Sequence, residues 1–375
     1  MRVTESMKSM TIVSHLNRNA EEMLKYQNQI SSGKQLQHAS DDPVGTSKIL
    51  YFKEIAAQNE RYQQNIEDAK LWFVATEVAL NGTFDIMSQA NNIALQGSND
   101  TLGKDERRLL KEQVQLLLEQ MVSFANRRNG SLYLFGGTVT SGSPYELTDE
   151  VSDESFISSS GNAVELDNVL LKQGSVVVTS ADGTITFSEG TDYVIDYDLG
   201  TITVVSPADG GAMSDATEYL ISYNTQNNTV LVENEDGNEG QINREISQGN
   251  VVQINTSGTD AFTADVDVFA VLKNLKNALY RNDTTNIRST VEFIQNGSEQ
   301  IAKEQGEVGL RYEVLDSTLE DLKSYATQIE YQRSKIEDTD IAEAIVQLDA
   351  KNLMYEATLK SSSTIFKQSL IDFIG

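Results

Sequence analysis

Residues 139–265 divide this chain into chemically unlike parts. The stretch holds 22 of the 56 acidic residues but only Lys172 and Arg244 among the basic ones, and it carries 12 of the 24 glycines with two of the three prolines, Pro144 and Pro207. Glycine and proline at that density punctuate short strands and turns, whereas long helices exclude them. Within the stretch, Ile202 and Val204 alternate with polar neighbours along Thr201–Val205, and Tyr219, Ile221 and Tyr223 repeat the pattern. Asp182-Gly183, Gly190 and Leu199-Gly200 mark turns between β-branched and aromatic runs. The expected fold class is mainly α, with a small antiparallel β domain inserted at 139–265.

Both flanks follow the helical period. Asp42 before Pro43 is a start signal: its carboxylate accepts free N–H groups of a first turn, and proline at the first helical position gives up a donor that has no partner there. A helix is expected from Val44 to about Gln96, with Ile55, Tyr62, Ile66, Ala69 and Phe73 on one side. After a turn at Gly97–Gly103, a second runs from Lys104 to about Asn129 with Leu109, Val114, Leu117, Met121 and Phe124 inward and Gly130 as a left-handed cap. The return flank gives Val268–Leu279, then about Asn286–Tyr331, where Ile294, Ile301, Val308, Tyr312, Leu315, Leu319 and Leu322 recur at heptad-like spacings. Helical flanks around one insert bring sequence-distant helices side by side.

The two ends share a heptad. Ile345, Asn352, Leu359, Phe366 and Phe373 form one line from Asp338 to the end, and Ile341, Leu348, Tyr355, Ser362 and Ser369 the other. Serines and Asn352 in that seam make the helix marginal alone, so it orders against a partner. Val13, Leu16, Ala20, Met23, Gln27 and Ile30 offer one with the same spacing. The expected assembly interface is therefore Val13, Leu16, Met23 and Ile30 with Ile341, Ile345, Leu348, Asn352, Tyr355, Leu359 and Phe366.

Three stretches carry a family likeness: Gln29-Ile30-Ser31-Ser32-Gly33-Lys34 followed by Ala39-Ser40-Asp41-Asp42-Pro43, Leu132-Tyr133-Leu134-Phe135-Gly136-Gly137-Thr138, and the two ends, MRVTESM and SLIDFIG. In these the chain resembles the flagellin superfamily, and within it the proteins of the hook-filament junction more than the filament subunits. The likeness spans both flanks and leaves out the acidic insert. It implies three layers: a terminal coiled-coil assembly domain (1–42 and 336–375), a helical bundle (43–138 and 266–335) and an outward-projecting variable β domain (139–265). It also implies a ring of identical subunits between hook-associated protein 1 and flagellin. Export through the flagellar secretion apparatus, with a cytoplasmic chaperone shielding the C-terminal helix, would bring the subunit to an extracellular site at the hook-filament junction.

Chemistry narrows the alternatives. A net charge of −27 opposes nucleic acid and anionic lipid, and no cysteine is present for thiolate catalysis or thiolate metal sites. The first twenty residues hold no apolar run of signal-peptide length, and no stretch is apolar enough for membrane insertion. His15 and His38 lack a second histidine at ligand spacing, so neither a zinc site nor a histidine triad is expected. Asn234–Gly240 is acidic but lacks the ligand order of a calcium loop, and Gly136-Gly137 is not followed by the lysine of a phosphate loop. Asp41-Asp42 is explained by capping. We expect no catalytic residue, metal or cofactor. The rival readings are a filament protein with the same flanks, or an adhesin or carbohydrate-recognition insert presenting Tyr193, Tyr197 and Tyr223.

Overall fold

The computed structural model describes residues 5–159, 161–226, 230–233 and 239–374, without the side chains of 5, 6, 8, 9, 230–232 and 364–374. Most of the acidic Asn234–Gly240 loop and the Phe366 side chain thus lie outside the described residues. The helices are α1 (Glu5–Ser32), α2 (Pro43–Gly97), α3 (Lys104–Ala125), α4 (Val268–Arg281), α5 (Thr284–Glu337) and α6 (Ile341–Ile374). The chain forms two compact units, one from Met1–Gln64 with Leu319–Gly375 and one from Asn65–Thr318.

Local chemistry sets the helix boundaries. The Asp42 carboxylate accepts the Val44 N–H at 3.0 Å and Pro43 opens α2. Asp267 caps α4 by accepting from Phe269 and Ala270, each at 2.9 Å. Asn282 closes α4 in the left-handed conformation. Two boundaries differ most from expectation: α5 continues past Tyr331 to Glu337, and α3 ends early. Helix α3 stops at Ala125, because the Asn126 side chain takes both backbone groups of Tyr145, donating to its carbonyl at 2.7 Å and accepting from its N–H at 3.1 Å. Gly130 is left-handed, but in the hairpin between β1 (Arg128–Asn129) and β2 (Leu132–Tyr133), not as a helix cap.

The core of the second unit comes from Ile66, Phe73, Leu80 and Met87 on α2, Leu110, Val114, Leu118 and Met121 on α3, Leu272, Leu275 and Leu279 on α4, and Ile294, Ile301, Val308 and Leu315 on α5. These follow the expected period except at Leu109, which is exposed while Leu110 takes the inward place. Gln305 on α5 donates to Asn81 on α2 at 2.9 Å, and Lys70 pairs with Asp316, so the two helices run antiparallel there.

The insert is antiparallel throughout its described strands. β4 (Glu150–Ile157), β10 (Glu218–Asn224), β6 (Val177–Ser180) and β7 (Thr186–Phe187) form one sheet in that spatial order. A second has the order β5 (Ala163–Glu165), β9 (Thr201–Val204), β8 (Tyr193–Asp196). Two ribbons, β3 (Tyr145–Thr148) with β11 (Val230–Glu233) and β12 (Asn243–Ser247) with β13 (Asn250–Gln253), complete it. Val178, Ile195, Ile202, Val204 and Ile221 share one core with Tyr193 and Tyr223. This corrects the adhesin reading: Tyr193 and Tyr223 are almost fully buried, and the Tyr223 hydroxyl donates to Glu154 at 2.5 Å. Tyr197 packs against the same core and donates to Glu189 at 2.6 Å. Tyr193 and Tyr223 therefore offer no ligand platform, and Tyr197 is half-buried. Arg281 of α4 holds the insert to the helices, donating to the carbonyls of Leu166 at 2.7 Å and Leu199 at 3.0 Å.

Candidate assembly interface

In the first unit α1 packs along α6. On α6 the positions turned inward are Ala344, Leu348, Lys351, Tyr355, Thr358 and Ser362, spaced by four and three. The small Ala344 and Ser362 are the most buried, and they let the helices approach closely. Lys351 lays its stem along the contact and pairs its ammonium with Glu22 of α1. That contact, with lesser help from Arg18, holds the Glu22 carboxyl below the usual range. On α1, Leu16, Ala20, Met23, Tyr26 and Ile30 are half-buried.

The eleven residues expected to assemble divide into two sets and one outlier. Leu16, Met23, Ile30, Leu348, Asn352 and Tyr355 lie half-buried in the α1/α6 contact. Val13 (48% exposed), Ile341 (51%), Ile345 (46%) and Leu359 (44%) do not enter it. Phe366 is the outlier, for the reason given above. The exposed set is joined by Val346, Leu353 and Met354 on α6 and by Met7, Met10 and Leu24 on α1. The helix pair inside one chain thus uses small and polar residues and leaves large apolar side chains outside, a pattern that marks an interaction surface. Leu348, Tyr355 and Ser362 thus face inward along the expected line, and the signal missed in the sequence is the line of Ala344, Lys351 and Thr358, one step around the helix from Ile345, Asn352 and Leu359.

The motif that follows α1 fixes where the pair begins. Gly33 is left-handed and ends α1. Gln29 is buried and donates to the Gln35 carbonyl at 2.8 Å. The Gln35 N–H donates to the Glu337 carbonyl at 2.7 Å. The Glu337 side chain is buried, and Lys34 and Lys53 donate to the same oxygen at 2.6 and 3.1 Å. Burial alone would raise the Glu337 carboxyl, but the two ammonium groups outweigh it and hold it below the usual range. Ser40 stands in the turn before α2, and Asp41 accepts from the N–H groups of His38 at 3.0 Å and Gln37 at 3.3 Å. These backbone bonds lower the Asp41 carboxyl.

The second motif roots the insert. Tyr133 lies under the Arg128 guanidinium at 4.1 Å, and Leu134 and Phe135 are fully buried. Phe135 meets Phe262 edge-on at 4.9 Å, and Tyr145 joins Phe262 at 5.8 Å and Phe269 at 4.8 Å. The chain leaving the helices, the first strand of the insert, its return and the start of α4 thus meet in one aromatic cluster. Gly136 closes a turn by accepting from Val139 at 2.9 Å. Gly137 (φ +54°) comes so close to the Glu239 carbonyl that a Cβ would stand 1.8 Å from its oxygen.

Comparison with known proteins agrees with these motifs. Residues 3–140 match the bacterial flagellin N-terminal helical region, and residues 291–374 match the bacterial flagellin C-terminal helical region. The flagellar hook-associated protein 3 of Escherichia coli is 30% identical over 125 residues, which is 33% of this chain and 39% of that relative, so the alignment spans less than half the relative's length. Polar flagellin C of Vibrio parahaemolyticus is 20% identical over 376 residues, covering 95% of this chain and 94% of the relative. Among solved structures, a flagellar hook-associated protein from Vibrio parahaemolyticus shares the fold with a TM-score of 0.53 at 13% identity, over 80% of this chain and 100% of that one. With both helical regions matched over more than half its length and an antiparallel β domain inserted between them, the chain belongs to the bacterial flagellin family and resembles hook-associated protein 3 within it.

Proposed function

We propose that this chain is a structural junction subunit of the bacterial flagellum, linking the hook, through hook-associated protein 1, to the flagellin filament. The observation that carries the reading is the large apolar face left outside the α1/α6 contact, with Ile341, Ile345, Val346, Leu353 and Leu359 uncovered in the single chain. Neighbouring copies complete a coiled coil on that face and close into a ring by heterologous packing. The subunit is exported by the flagellar secretion apparatus without a cleaved signal, and a cytoplasmic chaperone covers α6 until then. It acts at the extracellular junction as a non-enzymatic part of the motility organelle. Deleting the gene in the native host tests this: hooks without filaments, with flagellin shed into the medium, are expected. A second reading, a filament subunit, draws on the near full-length alignment with polar flagellin C. It calls for the opposite outcome, loss of the filament with no flagellin-like monomer secreted.

A further inference from the structure

A cleft of about 360 Å³ opens in the first unit beside the Gly33 turn, with Lys34, Lys53, Leu36, Ile49 and Leu50 around it and Glu337 at its base. Its charges do not balance. One oxygen of Glu337 takes both Lys34 and Lys53, at 2.6 and 3.1 Å, and the other has Arg333 at 3.4 Å. Arg333 is also paired with Glu330. Among the residues that line the cleft, two lysines face the single carboxylate of Glu337, and the surplus positive charge sits at the mouth, on side chains that are 48% and 44% exposed. The wall beside them is apolar, and Leu50 on it is exposed.

A chain of net charge −27 presents mostly carboxylates to its neighbours. A positive, half-apolar hollow is complementary to that surface, and it lies in the unit that carries the uncovered α1/α6 face. A small anion would meet the lysines but leave Leu50 in water. A glutamate or aspartate on a folded neighbour brings aliphatic surface with its charge. We propose that this cleft receives an acidic side chain of a second copy of this chain, a contact that sets the register between neighbouring subunits. The proposal rests on the assembly reading given above.

The test places a photo-crosslinking amino acid at Leu50, which leaves the lysines intact, and separately at Leu353, in cells building flagella. The expected result is an adduct from position 50 to an Asp- or Glu-containing peptide of a second copy. Its yield should fall about tenfold in a Lys53→Glu background, while Lys53→Gln, which leaves Lys34 on Glu337, lowers the monomer's melting temperature only slightly. An adduct at 353 with none at 50, or one at 50 to another protein, overturns the proposal and leaves the assembly reading standing. No adduct to a second copy at either position overturns both. Inorganic phosphate bound by the purified chain and displaced by Lys53→Gln, without the adduct at 50, would make the cleft a small-anion site and also overturn the proposal.

Discussion

The carbonyl of Gly33 accepts a hydrogen bond from the backbone N–H of Thr339 at 2.9 Å, so the residue that ends α1 is fastened to the link that leads into α6. Lys34 and Asp338 form a β-bridge beside it. The two terminal helices therefore start from one clamp, and the register of their contact is set where α1 and α6 begin to run together. Glu337, Lys34 and Lys53 supply the side-chain half of that clamp.

Glu337→Gln should therefore weaken the first unit. The carboxyl is held below its ordinary value, so its contribution is present above about pH 4.5 and is lost as pH falls through the lower folded-state value. Because both lysines are half in water, the loss at neutral pH should be modest, about 1–2 kcal/mol. Urea unfolding of the variant and the parent across pH 3 to 8 reads it. The two curves should converge at the acid end and separate at neutral pH.

A buried glutamate in the second unit behaves in the opposite sense. Burial, with Glu307 and Asp260 adding to it and Lys303 and Arg311 opposing, raises Glu304 to about 7. Its ordinary value is near 4.5, so ionising it costs stability progressively as pH rises from there to about 7. Glu304→Gln should stabilise the chain by roughly 1–3 kcal/mol at pH 8 and by nothing at pH 4. Lys276 mirrors it: burial with Lys111 and Lys273 nearby lowers it to about 7. Lys276→Met should help most below pH 7 and progressively less toward pH 10. Thermal melts of each variant at matched pH values check both signs.

Two glycines with left-handed backbones should respond differently to alanine. Gly130 (φ +62°) has nothing within 4 Å of a Cβ, so Gly130→Ala meets only the backbone penalty, about 1 kcal/mol. Gly137 (φ +54°) would add a collision with the Glu239 carbonyl, so Gly137→Ala should cost roughly 3 kcal/mol or more. It should also loosen the aromatic cluster of Phe135, Tyr145, Phe262 and Phe269. Near-ultraviolet circular dichroism, which senses those rings, should change in Gly137→Ala and stay as in the parent in Gly130→Ala.

Much of the fold was legible because its signals are local. Asp42-Pro43 starts a helix by capping, and the heptad Ile294, Ile301, Val308, Leu315 belongs to a helix buried along that line. The insert was legible from its glycines and its charge. The inward face of α6 was half legible: Leu348, Tyr355 and Ser362 turn inward as the heptad expects, but Ile345 and Leu359 do not, because apolar residues surround that helix. Ile345, Val346, Leu348, Leu353 and Met354 point to several sides, so a heptad of large residues overlaps one of small residues. Close approach at Ala344 and Ser362 and the pairing of Lys351 with Glu22 select the second, and both depend on a helix more than three hundred residues away. Tyr193 and Tyr223 pose the same difficulty in a strand: alternation groups residues on a face but does not say which face another sheet covers. Helix α3 stopped early for a long-range reason too, the capture of Asn126 by Tyr145.

The central claim is that the apolar face outside the α1/α6 contact builds the flagellar junction. Leu353→Asp tests it most directly, since Leu353 is 67% exposed and takes no part in the single chain's core. The measurement is paired: the melting temperature of the purified variant, and electron microscopy of flagella on cells that carry it in place of the parent gene. The account predicts a monomer as stable as the parent on hooks that bear no filament, because a charge on that face loses its water only when a neighbouring copy arrives. Full-length filaments on cells expressing the variant would contradict it.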